Sequence, residues 1–127
     1  MTTPTTEKTL YARLGGYDTI AAVVDEFLQN SAADPQLARF AGGVNLERRK
    51  RNRQLTLDYL SAASGGPTLY LGQDMKTAHA GLEISASEWN TALDHIRRAL
   101  VKFKVPDQES KEFVAIISDL KGKIVER

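Results

Sequence analysis

Wherever apolar residues repeat along this chain they do so three and four positions apart, the spacing of one helix face, and nowhere in the strict alternation of a strand. From Tyr17 they fall at Ile20, Val23, Val24, Phe27 and Leu28, which predicts a helix to about Ser31. A Gly15-Gly16 break precedes it and ends a short helix around Leu10 to Leu14. Asp34-Pro35 joins a helix N-cap residue to a proline at the first helical position, opening a turn through Leu37 to Phe40 that stops at Gly42-Gly43. Asn45 caps the next helix, Leu46 to about Ala63, with Leu46, Leu57 and Leu60 on one side and Gly65-Gly66-Pro67 as its stop.

Only one or two helical turns fit around Asp74 to His79 before Gly81. Ser85 and Glu88 form a capping-box signature, after which Trp89, Leu93, Ile96, Leu100 and Phe103 mark the face of a long helix. Pro106-Asp107 ends that helix and opens a final one carrying Phe113, Ile116, Ile117, Leu120 and Ile124, with Lys121, Lys123 and Arg127 near its negative end. The pattern is all-α, with helices too uneven for a regular four-helix bundle.

Composition narrows the chemistry. At 127 residues the chain suits one domain, expected over 8–127 behind a flexible polar segment, 1–7. The absence of cysteine removes disulfides, thiolate metal sites, cysteine nucleophiles and covalent c-type haem attachment. No run approaches the ~18 to 20 apolar residues of a membrane span, so a soluble, cytoplasmic protein without membrane partners is expected. Seventeen basic and sixteen acidic side chains nearly cancel, and the one basic run, ERRKRNR at 47–53, has no interleaved aromatic residues, which argues against nucleic acid. That run reads either as a solvated face or as a source of one inward-facing arginine.

His79 raises the sharpest question. One helical turn places Met75 on its face, and Leu71, Leu82 and Ile84 bracket the pair with apolar residues. The residues leave two readings: a surface or cap-region histidine, or an imidazole aimed from an apolar wall whose free nitrogen needs a partner, an iron centre being one.

In order, LYARLGG, DEF, DPQLARF, GGP, YLGQDM and KTAHAGLEIS followed by Trp89 and a long helix resemble the group I truncated haemoglobins, over about Leu10 to Val125. The resemblance implies a globin-like two-over-two helical sandwich around non-covalent haem b, with His79 matching the proximal iron ligand and dioxygen, carbon monoxide and nitric oxide as ligands. The family's paired glycines match Gly15-Gly16 and Gly65-Gly66, the second pair freeing the loop that leads to the ligand.

The gas pocket departs from the family. Many members have a tyrosine where this chain has Leu28, next to Phe27, and often glutamine where it has Asn52 and Thr56; Gln54 lies two places out of register. Asn52, Thr56 and Tyr59 share one helix face, taken as the haem-facing side. Phe40 matches the first of a usual phenylalanine pair and Ala41 replaces the second, a loss that Phe40 or Tyr59 can make good. Arg49, with Arg53 second, is expected to pair with a haem propionate, and Lys76 to reach one from the other side. Haem contacts are thus expected from Phe40, Arg49, Asn52, Arg53, Thr56, Tyr59, Leu71, Met75, Lys76, Leu82 and Ile84. His95 is expected to be a structural or exposed residue, or to border the pocket. Two other classes remain open at this point: a haem redox enzyme, of nitric-oxide dioxygenase or peroxidase type and served by a reductase, and a helical interaction module without haem.

Overall fold

A computed structural model describes residues 8–41 and 45–127; the segment 1–7 and the Gly42-Gly43 stop lie outside the described residues. The order is α1 (Leu10–Leu14), α2 (Tyr17–Ala33), a 3₁₀ turn (Ala38–Phe40), α3 (Leu46–Ala63), α4 (Met75–His79), α5 (Ala86–Lys102), α6 (Asp107–Ser118) and α7 (Lys121–Ile124). Helix α2 packs on both α3 and α5, and α5 on α6, so two helix pairs face each other across the core. No strand is present among the described residues.

Local chemistry sets most helix starts. Thr9, Asn45, Asp74 and Ser85 each accept a backbone N–H of the first turn, and Ser85 and Glu88 complete the capping box reciprocally. Gly15 ends α1 at φ 109°, a left-handed conformation in which an added Cβ would collide with Thr19. Gly66 is needed for closeness: a Cβ there would stand 2.9 Å from the Ser61 carbonyl and inside the Tyr11 ring.

The core gathers Ile20, Val24, Leu57, Leu100 and Phe113, each at most 1 % exposed. Burying side chains of this size contributes roughly 1.5 to 3 kcal/mol apiece. Three details differ from the sequence pattern. Leu46 is 64 % exposed because residues 46–52 of α3 bury no side chain, and Phe103 caps α5 instead of continuing it. The final helix is broken: the Leu120 N–H bonds back three residues to Ile117, tightening the end of α6, and α7 then turns Ile124 into the core. Beyond the break the C-terminal backbone pairs with the loop before α5, Glu126 N–H donating to the Ile84 carbonyl at 2.9 Å.

The turn between α2 and α3 is fastened along α5 one helical step at a time. Asp34 receives His95 Nε2 at 2.7 Å, Gln36 donates to Ser87 and accepts from Thr91, and Arg39 pairs with Glu88. Arg39 reaches furthest, since its guanidinium also donates to the carbonyls of Leu82 at 3.0 Å and Glu83 at 3.1 Å while lying 4.0 Å over the Phe40 ring. Glu83 needs that support. Its φ of 52° is left-handed for a residue with a Cβ, and its N–H is held by Glu126 at 2.8 Å.

Arg39, and after it the Ser85 N–H, hold the Glu88 carboxyl at about 2 against an ordinary value of 4.5; Arg13 and Gln108 do the same for Glu112. A carboxyl lowered in the folded state binds its proton less readily than in the unfolded chain, so its stabilisation is complete above pH 4.5 and disappears toward pH 2. Denaturant midpoints should therefore fall between pH 4.5 and pH 2. Glu88→Gln should lower the midpoint at pH 7 and flatten this acid limb; an unchanged limb would show that the Arg39–Glu88 contact carries none of it.

Candidate functional site

Between the two helix pairs lies a cavity of about 460 Å³, within the usual size of small-molecule sites. Its walls come from every long helix. Helix α2 supplies Val24, Phe27 and Leu28; α3 supplies Asn52, Leu55, Thr56 and Tyr59; the 3₁₀ turn adds Phe40 and Ala41. The facing wall is built by Met75, Ala78 and His79 of α4, with Leu82 and Ile84 of the following loop. Helices α5 to α7 close the floor through Trp89, Leu93, Phe113 and Ile124.

His79 is the one imidazole in this lining, and its protonation pattern is fixed by geometry. Its Nδ1 lies 2.8 Å from the Met75 carbonyl oxygen. A carbonyl can only accept, so Nδ1 carries the hydrogen and the neutral ring keeps its free lone pair on Nε2. Asp74 makes this possible by starting α4 where it does: its side chain accepts the Thr77 N–H at 3.1 Å, putting Met75 one turn below His79.

The other polar groups of the lining are mostly engaged elsewhere. Thr56 Oγ1 donates to the Asn52 carbonyl at 2.8 Å, so its hydroxyl proton stays within its own helix. Tyr70 donates to the Gln73 carbonyl, and desolvation raises the pKa of its phenol. Glu88 is held by Arg39 and Ser85. The Asn52 amide and the Tyr59 hydroxyl make no hydrogen bond among the described residues.

Of the residues singled out from sequence, Phe27, Leu28, Phe40, Asn52, Thr56, Tyr59, Met75, His79, Leu82 and Ile84 meet in this lining. Four others do not. Arg49 bends back to the Ala41 carbonyl at 3.1 Å, and Arg53 pairs with Asp25 of α2 at 2.6 and 3.1 Å, because α3 passes α2 there. Lys76 is exposed and lies outside the lining. Leu71 is 81 % exposed: the 69–71 segment is extended, so Leu69 and Leu71 point outward and Tyr70 inward. Tyr70 packs edge-on against Tyr59, ring centres 5.2 Å apart, and the Leu-Tyr-Leu alternation was the signal that could have identified it. His95 lies outside the lining and is buried against Asp34, whose carboxyl is lowered chiefly by that bond.

Comparison with known proteins gives a consistent picture. The bacterial-like globin family model matches residues 9–126. The chain is 32 % identical over 115 residues to the group 1 truncated hemoglobin GlbN of Mycolicibacterium paratuberculosis, covering 91 % of this chain and 82 % of that protein. The fold superposes on the truncated hemoglobin of Tetrahymena pyriformis with a TM-score of 0.86 at 22 % identity, over 94 % of this chain and all of that one. The hemoglobin of the thermophilic phototroph Chloroflexus aurantiacus gives 0.81 at 26 % identity, over 95 % and 100 %.

The placement of Arg53 has a measurable consequence. A double-mutant cycle on Arg53→Ala and Asp25→Ala should return a coupling of about 0.2 to 1 kcal/mol, as expected of a half-exposed pair. A coupling near zero would mean that the two side chains do not hold α2 and α3 together.

Proposed function

This chain belongs to the bacterial-like globins, among the group 1 truncated haemoglobins, and from that membership we propose that it binds non-covalent haem b through His79 and takes diatomic gases at the iron. The observation that carries the proposal is the Nδ1–Met75 hydrogen bond, which leaves Nε2 as a lone-pair donor in the wall of an apolar cavity. Among the described residues no group of three or more histidine, aspartate or glutamate side chains is arranged to hold a metal, and a macrocycle would supply an ion on His79 with the ligands the side chains do not. A bound haem supplies iron with a position for dioxygen, carbon monoxide or nitric oxide.

The chain's own residues divide the remaining work. Met75, Leu82 and Ile84 shield the imidazole from water, and Phe40, steadied under the Arg39 guanidinium, offers a ring for the porphyrin face. Lys76 is the exposed cation nearest His79 in sequence and the candidate for a haem carboxylate. On the gas side Leu28 and Phe27 give an apolar surface and the Thr56 proton is engaged, which leaves Asn52 and Tyr59 as donors. A pocket with so few donors favours ligands that need none, and dioxygen should leave it quickly. Cytoplasmic residence is part of the same proposal.

Two measurements test this. His79→Gly should abolish the Soret band of the purified protein, and millimolar imidazole should restore it, while His95→Ala keeps it; an unaltered band in His79→Gly without imidazole would remove the ligand assignment. Leu28→Tyr adds one hydroxyl donor and should slow dioxygen release about tenfold, the equivalent of one good hydrogen bond, with carbon monoxide release changed far less. A parent that already releases dioxygen as slowly as the variant would show that Asn52 or Tyr59 fills the donor role.

A further inference from the structure

We infer that the first two turns of α3 are a docking surface for an acidic electron-carrier protein, an inference that rests on the haem reading above. Residues 46–52 are all exposed and contain Arg48, Arg49, Lys50 and Arg51 against the single carboxylate of Glu47. Four cations and one anion leave +3 on this short stretch, more than the +1 of the whole chain, so the rest of the molecule is net negative. These turns are therefore a local positive patch on a chain whose remaining charge sums to about −2.

Among the described residues no carboxylate pairs with this cluster. Arg53, one turn on, is neutralised by Asp25, but Arg48, Lys50 and Arg51 form no ion pair among the described residues, and Arg49 meets only a neutral carbonyl. The cluster also opposes its own helix. Cations are disfavoured at the positive N-terminal end of a helix, and Arg48 and Arg51 repel one another at a spacing of three. Charge that destabilises the element carrying it, with no internal partner, points to a partner of opposite sign. Leu46, 64 % exposed on the same two turns, adds an apolar contact inside the charged rim, as protein interfaces have. A polynucleotide fits less well, because the positive area is confined to two turns and has no aromatic side chain on which bases could stack.

The position of the surface gives the partner its chemistry. Asn52 is both exposed and part of the cavity lining, and Leu55, Thr56 and Tyr59 continue along the same helix, so the basic turns adjoin the open edge of the haem cavity. A donor seated there is within short reach of the cofactor. With haem bound, one electron would pass from the donor's reduced iron–sulfur cluster to ferric iron, the cluster being oxidised and the iron reduced with no bond made or broken. The outcome is the ferrous form that takes gases.

The test uses the haem-loaded protein and a plant-type [2Fe–2S] ferredoxin as the acidic donor. Titration calorimetry should show binding that weakens about tenfold or more between 20 and 200 mM salt, and the second-order rate of haem reduction should fall in parallel. Lys50→Glu with Arg51→Glu should lower both by at least about tenfold, and Lys50→Gln with Arg51→Gln by an intermediate factor. Helical circular dichroism, the Soret band and reduction by dithionite should stay as in the parent. Loss of the Soret band in the parent would overturn the haem reading. Binding and reduction that ignore salt and both variants would overturn the docking surface alone, and so would patch-dependent binding of a DNA or RNA oligonucleotide without any effect on ferredoxin.

Discussion

One guanidinium joins the two sides of the cavity. Arg39 belongs to the turn that follows α2, yet its donors end on Glu88 at the start of α5 and on the carbonyls of Leu82 and Glu83 in the loop that follows His79. Five N–H groups in a rigid plane suit this task, which a lysine with its single point of charge could not perform. The same plane lies over Phe40, so the ring that faces the cavity and the loop that leaves the imidazole wall are set by one side chain. If Arg39 moves, Phe40, the left-handed backbone at Glu83 and the capping box of α5 all lose a partner together.

That constraint matters because α4 has little stability of its own. Five residues are far below the length at which an isolated helix persists in water. Its order comes from outside: the Asp74 cap at one end, and at the other a loop clasped by Arg39 and by Glu126, whose carboxylate takes the N–H groups of Gly81 and Glu83. The chain thus places the imidazole of the cavity wall on one of its shortest helices and then fixes both ends. A longer helix would pack against its neighbours along its length and leave less room for a cavity; a short capped one presents a side chain while the loops around it make space.

Sequence reading succeeded where the cause is local and failed where it is not. The capping box, the Asn45 and Asp74 caps and the glycine stops depend on residues a few positions apart, and each helix start follows them. The apolar period likewise found α2 and α5. By contrast, the apolar period runs unbroken through Leu120 to Ile124, with Gly122 the one local hint of the break, and the pairing of Glu126 and Arg127 with Ile84, about forty residues away, is not written in any local pattern. The arginines show the same limit. Helical periodicity put Arg49 on the face of Asn52, but Ala41 and Asp25, supplied by other segments, decide where Arg49 and Arg53 end. Apolarity alone points to Leu71, but the two-residue alternation of its segment turns Tyr70 inward instead.

The cavity and the core are made of the same side chains. Val24 and Phe113, each 1 % exposed, belong both to the packed centre and to the cavity wall, and so do Trp89, Leu93, Ile117 and Ile124. A flat apolar group seated there extends contacts that the fold already depends on, so its binding free energy and the folding free energy are linked. Each tenfold excess of ligand over its dissociation constant adds about 1.4 kcal/mol to the folded state, provided the unfolded chain does not bind it. In a fold whose net stability is on the order of 5 to 15 kcal/mol, such a cofactor becomes part of the core as well as part of the site. Residues far from His79 that loosen the core, such as those around Phe113, then act on cofactor affinity without touching the imidazole of the cavity wall.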